Sequence, residues 1–150
     1  ARALGNRSIL ANPCSPNIRD IINLKIKKRE NFRPFAPSIL YENKMNWFGN
    51  SIENPYMSAV ENILSDKRKL IPAVTHFDGT GRVQTVIKEY NIDFYFLINE
   101  FYKLTNVPIL LNTSFNENEP IVMKPQDAIN CFERTKMDIL VMENYFIQRN

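Results

Sequence analysis

Residues 27–37 read Lys27-Lys28-Arg29-Glu30-Asn31-Phe32-Arg33-Pro34-Phe35-Ala36-Pro37, a run of cations that passes directly into a stiff aromatic and proline segment. Each proline fixes its own φ and drives the residue before it toward extended geometry, so Arg33 and Ala36 are expected on β or polyproline-II backbone. A guanidinium on constrained backbone has given up part of its entropy before a ligand arrives, as a phosphate or carboxylate site requires. A second set stands after the apolar run 108–111, where Asn112, Ser114 and Asn116 alternate. Alternation puts them on one face at the carboxyl end of a strand, a place where α/β sheets bind ligands. The competing reading is an ordinary turn, in which Asn and Ser bond their own backbone, and spacing alone favours it somewhat. The third set is Thr75-His76-Phe77-Asp78-Gly79-Thr80-Gly81-Arg82, with Arg82 opening a β-rich run after a turn of small residues. Together with Arg2, Arg7, Lys27, Arg29 and Arg33, Arg82 belongs to a scattered set of cations that only folding could gather.

Several chemistries are argued down. No Gly-x-x-x-x-Gly-Lys-Ser/Thr loop and no Gly-x-Gly-x-x-Gly follows a strand, so side chains would have to hold any nucleotide. Ser114, His76 and Asp78 could be assembled into a triad but have no nucleophile-elbow context. With one histidine, and with Cys14 and Cys131 far apart, neither a metal site made by this chain nor a disulfide is expected. A net charge of +3 and a pI near 8.9 admit an anionic ligand but fall short of the basic excess of most nucleic-acid binders. The lack of a membrane-length apolar stretch leads to the expectation of a cytoplasmic protein. The opening Ala1-Arg2-Ala3-Leu4, without an initiator methionine, suggests a piece of a longer one.

The elements that must position these residues form one domain over 1–150, of α/β (α+β) class. Strands are expected over 8–11, 35–41 and 55–60, and a hairpin over 71–86 around Asp78-Gly79. Further extended runs are expected over 108–111, 119–123 and 138–142. Helices are expected from Ser15-Pro16 through Ile26, with Ser15 as N-cap, and over 42–48, 93–105 and from Pro125. Phe94, Leu97, Ile98, Phe101 and Leu104 would form the packed stripe of the third. The charged stretch 61–70 reads as a mobile loop.

Five motifs occur in order: Arg2-Ala3-Leu4-Gly5-Asn6-Arg7-Ser8-Ile9-Leu10, then Arg29-Glu30-Asn31-Phe32-Arg33-Pro34-Phe35-Ala36-Pro37, then Pro72-Ala73-Val74-Thr75-His76 through Gln84-Thr85-Val86, then Leu110-Leu111-Asn112-Thr113-Ser114-Phe115-Asn116, and Glu119-Pro120-Ile121-Val122. Together they resemble the C-terminal domain of the O-carbamoyltransferases related to NodU and to antibiotic-tailoring carbamoyltransferases. The resemblance implies a YrdC-like twisted mixed sheet with flanking helices. It implies binding of ATP, accompanied by Mg²⁺, and of carbamoyl phosphate, with formation of carbamoyl-adenylate and release of pyrophosphate. A separate N-terminal domain resembling the ASKHA fold, carrying a histidine-bound metal such as iron, would then pass the carbamoyl group to a hydroxyl acceptor. Carried over by motif, Arg2, Lys27, Arg33 and Arg82 hold the phosphates, with Lys27, Arg33 and Arg82 as the catalytic cations. Arg29, Asn112, Ser114 and Asn116 complete the pocket, the last two matching a Ser-x-Asn signature and Lys27-Lys28-Arg29 a Lys-x-Arg signature. Lys28 is then a solvated neighbour, and Phe32, Pro34, Phe35 and Pro37 are the packing that holds Arg33. His76 and Asp78 shape the loop around Arg82, and Asn118 replaces a more usual glycine. The alternative is a basic RNA-binding module of the same fold, against which the modest charge argues; a homodimer is left open.

Overall fold

In the computed structural model, which describes residues 3–30 and 32–149, the strands are β1 (Ser8–Ala11), β2 (Ala36–Leu40), β3 (Glu61–Asn62), β4 (Thr80–Gly81), β5 (Gln84–Val86), β6 (Ile109–Ser114), β7 (Ile139–Met142) and β8 (Tyr145–Gln148). The α-helices are α1 (Ile18–Ile21), α2 (Met45–Phe48), α3 (Ile92–Thr105) and α4 (Pro125–Arg134). The apolar run that opens β6 lies inside a four-stranded mixed sheet of order β1-β6-β2-β5. β1 and β2 pair antiparallel with β6, and β5 runs parallel to β2. The result is an α+β domain with a mixed sheet and flanking helices, as its pattern of elements predicts.

Period-two alternation divides the sheet into two faces. Ile9, Ile39, Ile109 and Leu111 enter the larger core with Ile22, Ile26 and Phe35. Leu40, Val86 and Leu110 point the other way and pack with Phe94 and Ile98 of α3. Two residues along each strand, on this second face, stand the buried polar groups Ser38, Gln84 and Asn112. One end of the face is therefore apolar and covered by α3, and the other is polar. The Asn91 side chain caps α3 by accepting from the Phe94 N–H at 3.1 Å. The buried stripe of α3 is narrower than its pattern suggests: Phe94 and Ile98 are buried, while Leu97 is 49% and Leu104 85% exposed.

Local polar chemistry overrides the pattern elsewhere. α1 starts at Ile18 instead of Pro16, with no side-chain cap, and gives way to a π-helical turn (Ile22–Ile26) that carries Asn23 and Lys27 inward. Residues 55–60 form no strand, because the Asn54 side chain accepts from the Ser58 N–H at 2.8 Å and donates to the Ala59 carbonyl at 3.2 Å, curling the segment. The stretch 61–70 is built in: β3 pairs with β4, Ile63 is 1% exposed, and the Leu64 N–H bonds the Trp47 carbonyl at 2.9 Å. The turn at Asp78-Gly79 exists, but Pro72–Val74 is a 3-10 turn and no hairpin joins it to residues 82–86. Residues 119–123 lie outside any sheet. After β7 the chain returns as β8 in a separate antiparallel ribbon that the sequence pattern did not suggest.

Candidate functional site

The polar end of the sheet opens into a cleft of about 820 Å³. Asn112, Ser114 and Asn116 line it from β6 and the turn beyond, and Ala36 from β2. Arg29, Arg82 and His76 supply its basic groups, and Leu4, Phe35, Tyr56, Met57 and Ile121 contribute apolar surface. Two of the three sequence sets, the strand end and the turn with Arg82, thus meet, and the Lys-x-Arg motif reaches them through Arg29.

Lys27 is placed differently from a phosphate clamp. It is 1% exposed, and its Nζ donates to the Ser114 carbonyl at 2.6 Å, the Asn116 carbonyl at 2.8 Å, Asn116 Oδ1 at 2.7 Å and Ser114 Oγ at 3.2 Å. Burial, with the charge of Arg29 adding to it, pushes its pKa down to about 8. The ammonium holds the Ser-x-Asn corner in shape from behind. The Ser114 hydroxyl in turn donates to Asn116 Oδ1 at 2.7 Å.

Arg29 is fixed on two sides. Its Nε donates to Asn23 Oδ1 at 2.8 Å, and its guanidinium lies over the Phe35 ring at 5.0 Å. Burial and then the nearby charge of Arg33 lower its pKa. The Phe35 ring therefore positions Arg29 and not Arg33, contrary to the packing expected of it. Phe32 and Pro34 are exposed, Phe32 at 75%, so they do not hold Arg33 either. Arg33 itself is exposed and does not line the cleft; its carbonyl accepts from Asn23 Nδ2 at 3.0 Å. Arg2 lies outside the described residues. Lys28 is more than a solvated neighbour, since its ammonium pairs with Glu117 at 2.6 Å.

Arg82 is exposed at the cleft, its Nε held by the Met57 carbonyl at 2.8 Å in a residue of positive φ. His76 Nδ1 is 3.0 Å from Thr80 Oγ1, and the Thr80 hydroxyl donates to Asp78 Oδ1 at 2.7 Å. These bonds close the turn before Arg82, the role expected of His76 and Asp78, and the Thr80 donors hold the Asp78 carboxyl below its usual range. Cys131 is buried, and burial followed by the Glu119 carboxylate pushes its thiol up to about 11, so it stays protonated.

Sequence reasoning missed three supports of the site. Asn23 is fully buried and ties Arg29 to the Arg33 backbone. Gln84 and Ser38 form the polar floor with Asn112. Lys44, fully buried, pairs with Glu61 at 2.8 Å and donates to Asn50 Oδ1 at 2.9 Å and to the Ile52 carbonyl, fixing the loop that carries Met57. An asparagine among the isoleucines of residues 18–26 was the one visible signal for any of them.

A family model described as Carbamoyltransferase C-terminus matches residues 1–149. The chain belongs to this carbamoyltransferase C-terminal family. Nodulation protein NolNO of Sinorhizobium fredii (strain NBRC 101917 / NGR234) is 49% identical over 152 residues, spanning 99% of this chain and 22% of its own length. Nodulation protein NolO of Bradyrhizobium diazoefficiens is 45% identical over 152 residues, spanning 99% of this chain and 28% of its own. Nodulation protein U of the same organism is 42% identical over 115 residues, 77% of this chain and 20% of its own. The carbamoyltransferase C-terminal chain thus spans between 20% and 28% of the length of these relatives. Among its described residues no helix is long and apolar enough to cross a membrane.

Proposed function

We propose that this cleft binds ATP and carbamoyl phosphate and forms carbamoyl-adenylate, from which the rest of a longer protein carbamoylates a hydroxyl acceptor. The observation that carries the reading is the meeting, in one cleft, of two positioned guanidinium groups, Arg29 and Arg82, with the Ser114–Asn116 corner and an apolar wall. Mass balance requires carbamoyl phosphate to lose its own phosphate to water and a carbamate oxygen to displace pyrophosphate from the α-phosphorus. Negative charge gathers on the α-phosphate and on the departing pyrophosphate. Cations held before the reaction, away from bulk water, stabilise such charge without reorganisation at the moment of transfer. Arg29 and Arg82 fill that role, Ser114 and Asn116 orient the smaller substrate, and Lys27 keeps those two in register.

The cleft offers cations and neutral oxygens instead of carboxylates, which suits Mg²⁺ carried on the nucleotide phosphates. The acceptor and its metal belong, on this reading, to the part of the relatives that precedes this region, and the work is cytoplasmic, where ATP is available. The test is pyrophosphate release by the full-length protein given ATP and carbamoyl phosphate together. Release only with both substrates supports the proposal, and none from the folded full-length protein sinks it.

A further inference from the structure

A buried chain of hydrogen bonds crosses the sheet at the head of the cleft and ends in an unused acceptor. Gln84 Nε2 donates to the Leu4 carbonyl at 3.1 Å. A carbonyl can only accept, so the Gln84 amide has one orientation, with Oε1 turned into the sheet. There Oε1 accepts from Ser38 Oγ at 2.7 Å and from Asn112 Nδ2 at 3.0 Å. Asn112 Nδ2 also donates to Ser38 Oγ at 3.0 Å, so both of its protons are used. Reversing the Asn112 amide would set two carbonyl oxygens against each other. The Leu4 carbonyl therefore fixes, through Gln84, which way Asn112 faces. Asn112 Oδ1 is left buried without a hydrogen-bond partner among the described residues, in a side chain 1% exposed that lines the cleft. A native fold rarely keeps a buried acceptor unmet unless something else supplies the donor.

We propose that Asn112 Oδ1 accepts a hydrogen bond from the NH₂ of the carbamoyl group and thereby selects carbamoyl phosphate over acyl phosphates of the same shape. This rests on the reading of the cleft given above. Two features favour the carbamoyl NH₂ over the adenine amine. Asn112 lies within β6, 1% exposed beside Ser38 and Gln84, whereas the apolar surface suited to a purine comes from Tyr56, Met57 and Ile121, which lie outside the sheet. Ser114 lies two residues further along the same strand face, about 7 Å away. A single small molecule can span that interval with its phosphate at Ser114 and its amide at Asn112; adenine stands a ribose away from the nearest phosphate. A methyl group in place of the NH₂ would leave Oδ1 unmet, and a carboxylate would set like charge density against it. A site that bonds a substrate N–H discriminates strongly against analogues without one.

The test is titration calorimetry of the full-length protein with two stable phosphonates that differ only in NH₂ against CH₃, namely 2-amino-2-oxoethylphosphonate and 2-oxopropylphosphonate. The amide is expected to bind at least about thirtyfold more tightly in the wild type. In Asn112→Leu that ratio is expected to fall to about one. Equal affinities in the wild type, or a ratio unchanged in Asn112→Leu, overturn the proposal. If Asn112→Leu does not fold, the wild-type pair of titrations decides alone. Equal binding of both compounds removes the selectivity and leaves the carbamoyl phosphate site standing; binding of neither overturns both.

Discussion

Replacing Lys27 by Met tests whether the buried ammonium is what shapes the Ser114–Asn116 corner. Its four acceptors lie 2.6 to 3.2 Å away. After the substitution Ser114 Oγ and Asn116 Oδ1 keep each other and the Ser114 carbonyl keeps the Asn116 N–H at 3.1 Å, so the group left without a donor is the Asn116 carbonyl. Leaving it unmet costs about 1–3 kcal/mol, offset in part by no longer burying an ammonium. A net loss of about 1 kcal/mol lowers Tm by about 2–4 °C for a domain of this size. The pH dependence supplies an independent check. Lys27 has its pKa lowered from 10.5 to about 8 in the folded protein, so between those values the unfolded chain binds the extra proton. Stability then rises with pH across that window, by roughly 2–3 kcal/mol at pH 10 relative to pH 7. Thermal unfolding of wild type and Lys27→Met at pH 7 and pH 10 should show a positive Tm difference at both, larger at pH 10. A difference near zero, or one that narrows as pH rises, would refute the reasoning.

Lys44→Met strands the Glu61 carboxylate, whose side chain is 14% exposed, and should cost about 3–5 kcal/mol; a Tm within 2 °C of wild type (under about 1 kcal/mol) would contradict that. Burial raises the Glu61 pKa, but bonds from Lys44 and Asn50 outweigh it and hold the carboxyl below its usual 4.5. The pair's contribution is therefore intact above that value and lost as pH falls through the folded one, and Glu61→Gln should flatten the acid limb of a stability curve. Arg29→Ala and Arg82→Ala should each lower kcat/KM for pyrophosphate release by about a hundredfold or more, with Arg33→Ala below about tenfold; an equal loss at Arg33 would return it to the site. In Gly5→Ala the new Cβ would lie 2.4 Å from Phe94 Cδ1 at a residue with φ of +108°, so denaturant unfolding should show a loss of at least about 2 kcal/mol, and an unchanged midpoint would exclude the clash.

The parts of the fold legible in the sequence are those where one periodicity dominates. Pro108-Ile109-Leu110-Leu111 announces a strand buried on both faces, and β6 delivers Ile109 and Leu111 to one core and Leu110 to the other. Asn112, Ser114 and Asn116 follow from the same alternation and all line the cleft. What the pattern could not show is decided by single side chains acting on distant backbone. Nothing in Asn-Pro-Tyr-Met-Ser-Ala-Val says that Asn54 will curl it, and nothing in Asp66-Lys67-Arg68-Lys69 says that Ile63 and Leu64 anchor the segment ahead of it. In the basic run, composition marks the cations but not their division: a π-turn sends Lys27 inward and gives Arg29 to the Phe35 ring, while Arg33, singled out by its proline, is left at the surface.

Three buried polar groups hold residues or segments that line the cleft. Lys27 holds the Ser114–Asn116 corner, Asn23 holds Arg29 and the backbone of Arg33, and Lys44 with Glu61 holds the loop whose Met57 carbonyl fixes Arg82. As a stability device the Lys44–Glu61 pair is a poor choice, because an apolar replacement of a whole buried ion pair is often neutral or stabilising. The worth of all three is directional: an ammonium or amide with all its bonds made permits one arrangement of the backbone around it, whereas an apolar side chain permits many. A cleft that must present two guanidiniums to a small anion needs that restriction, since a misplacement of about 1 Å weakens charge-assisted bonds far more than it weakens apolar contact.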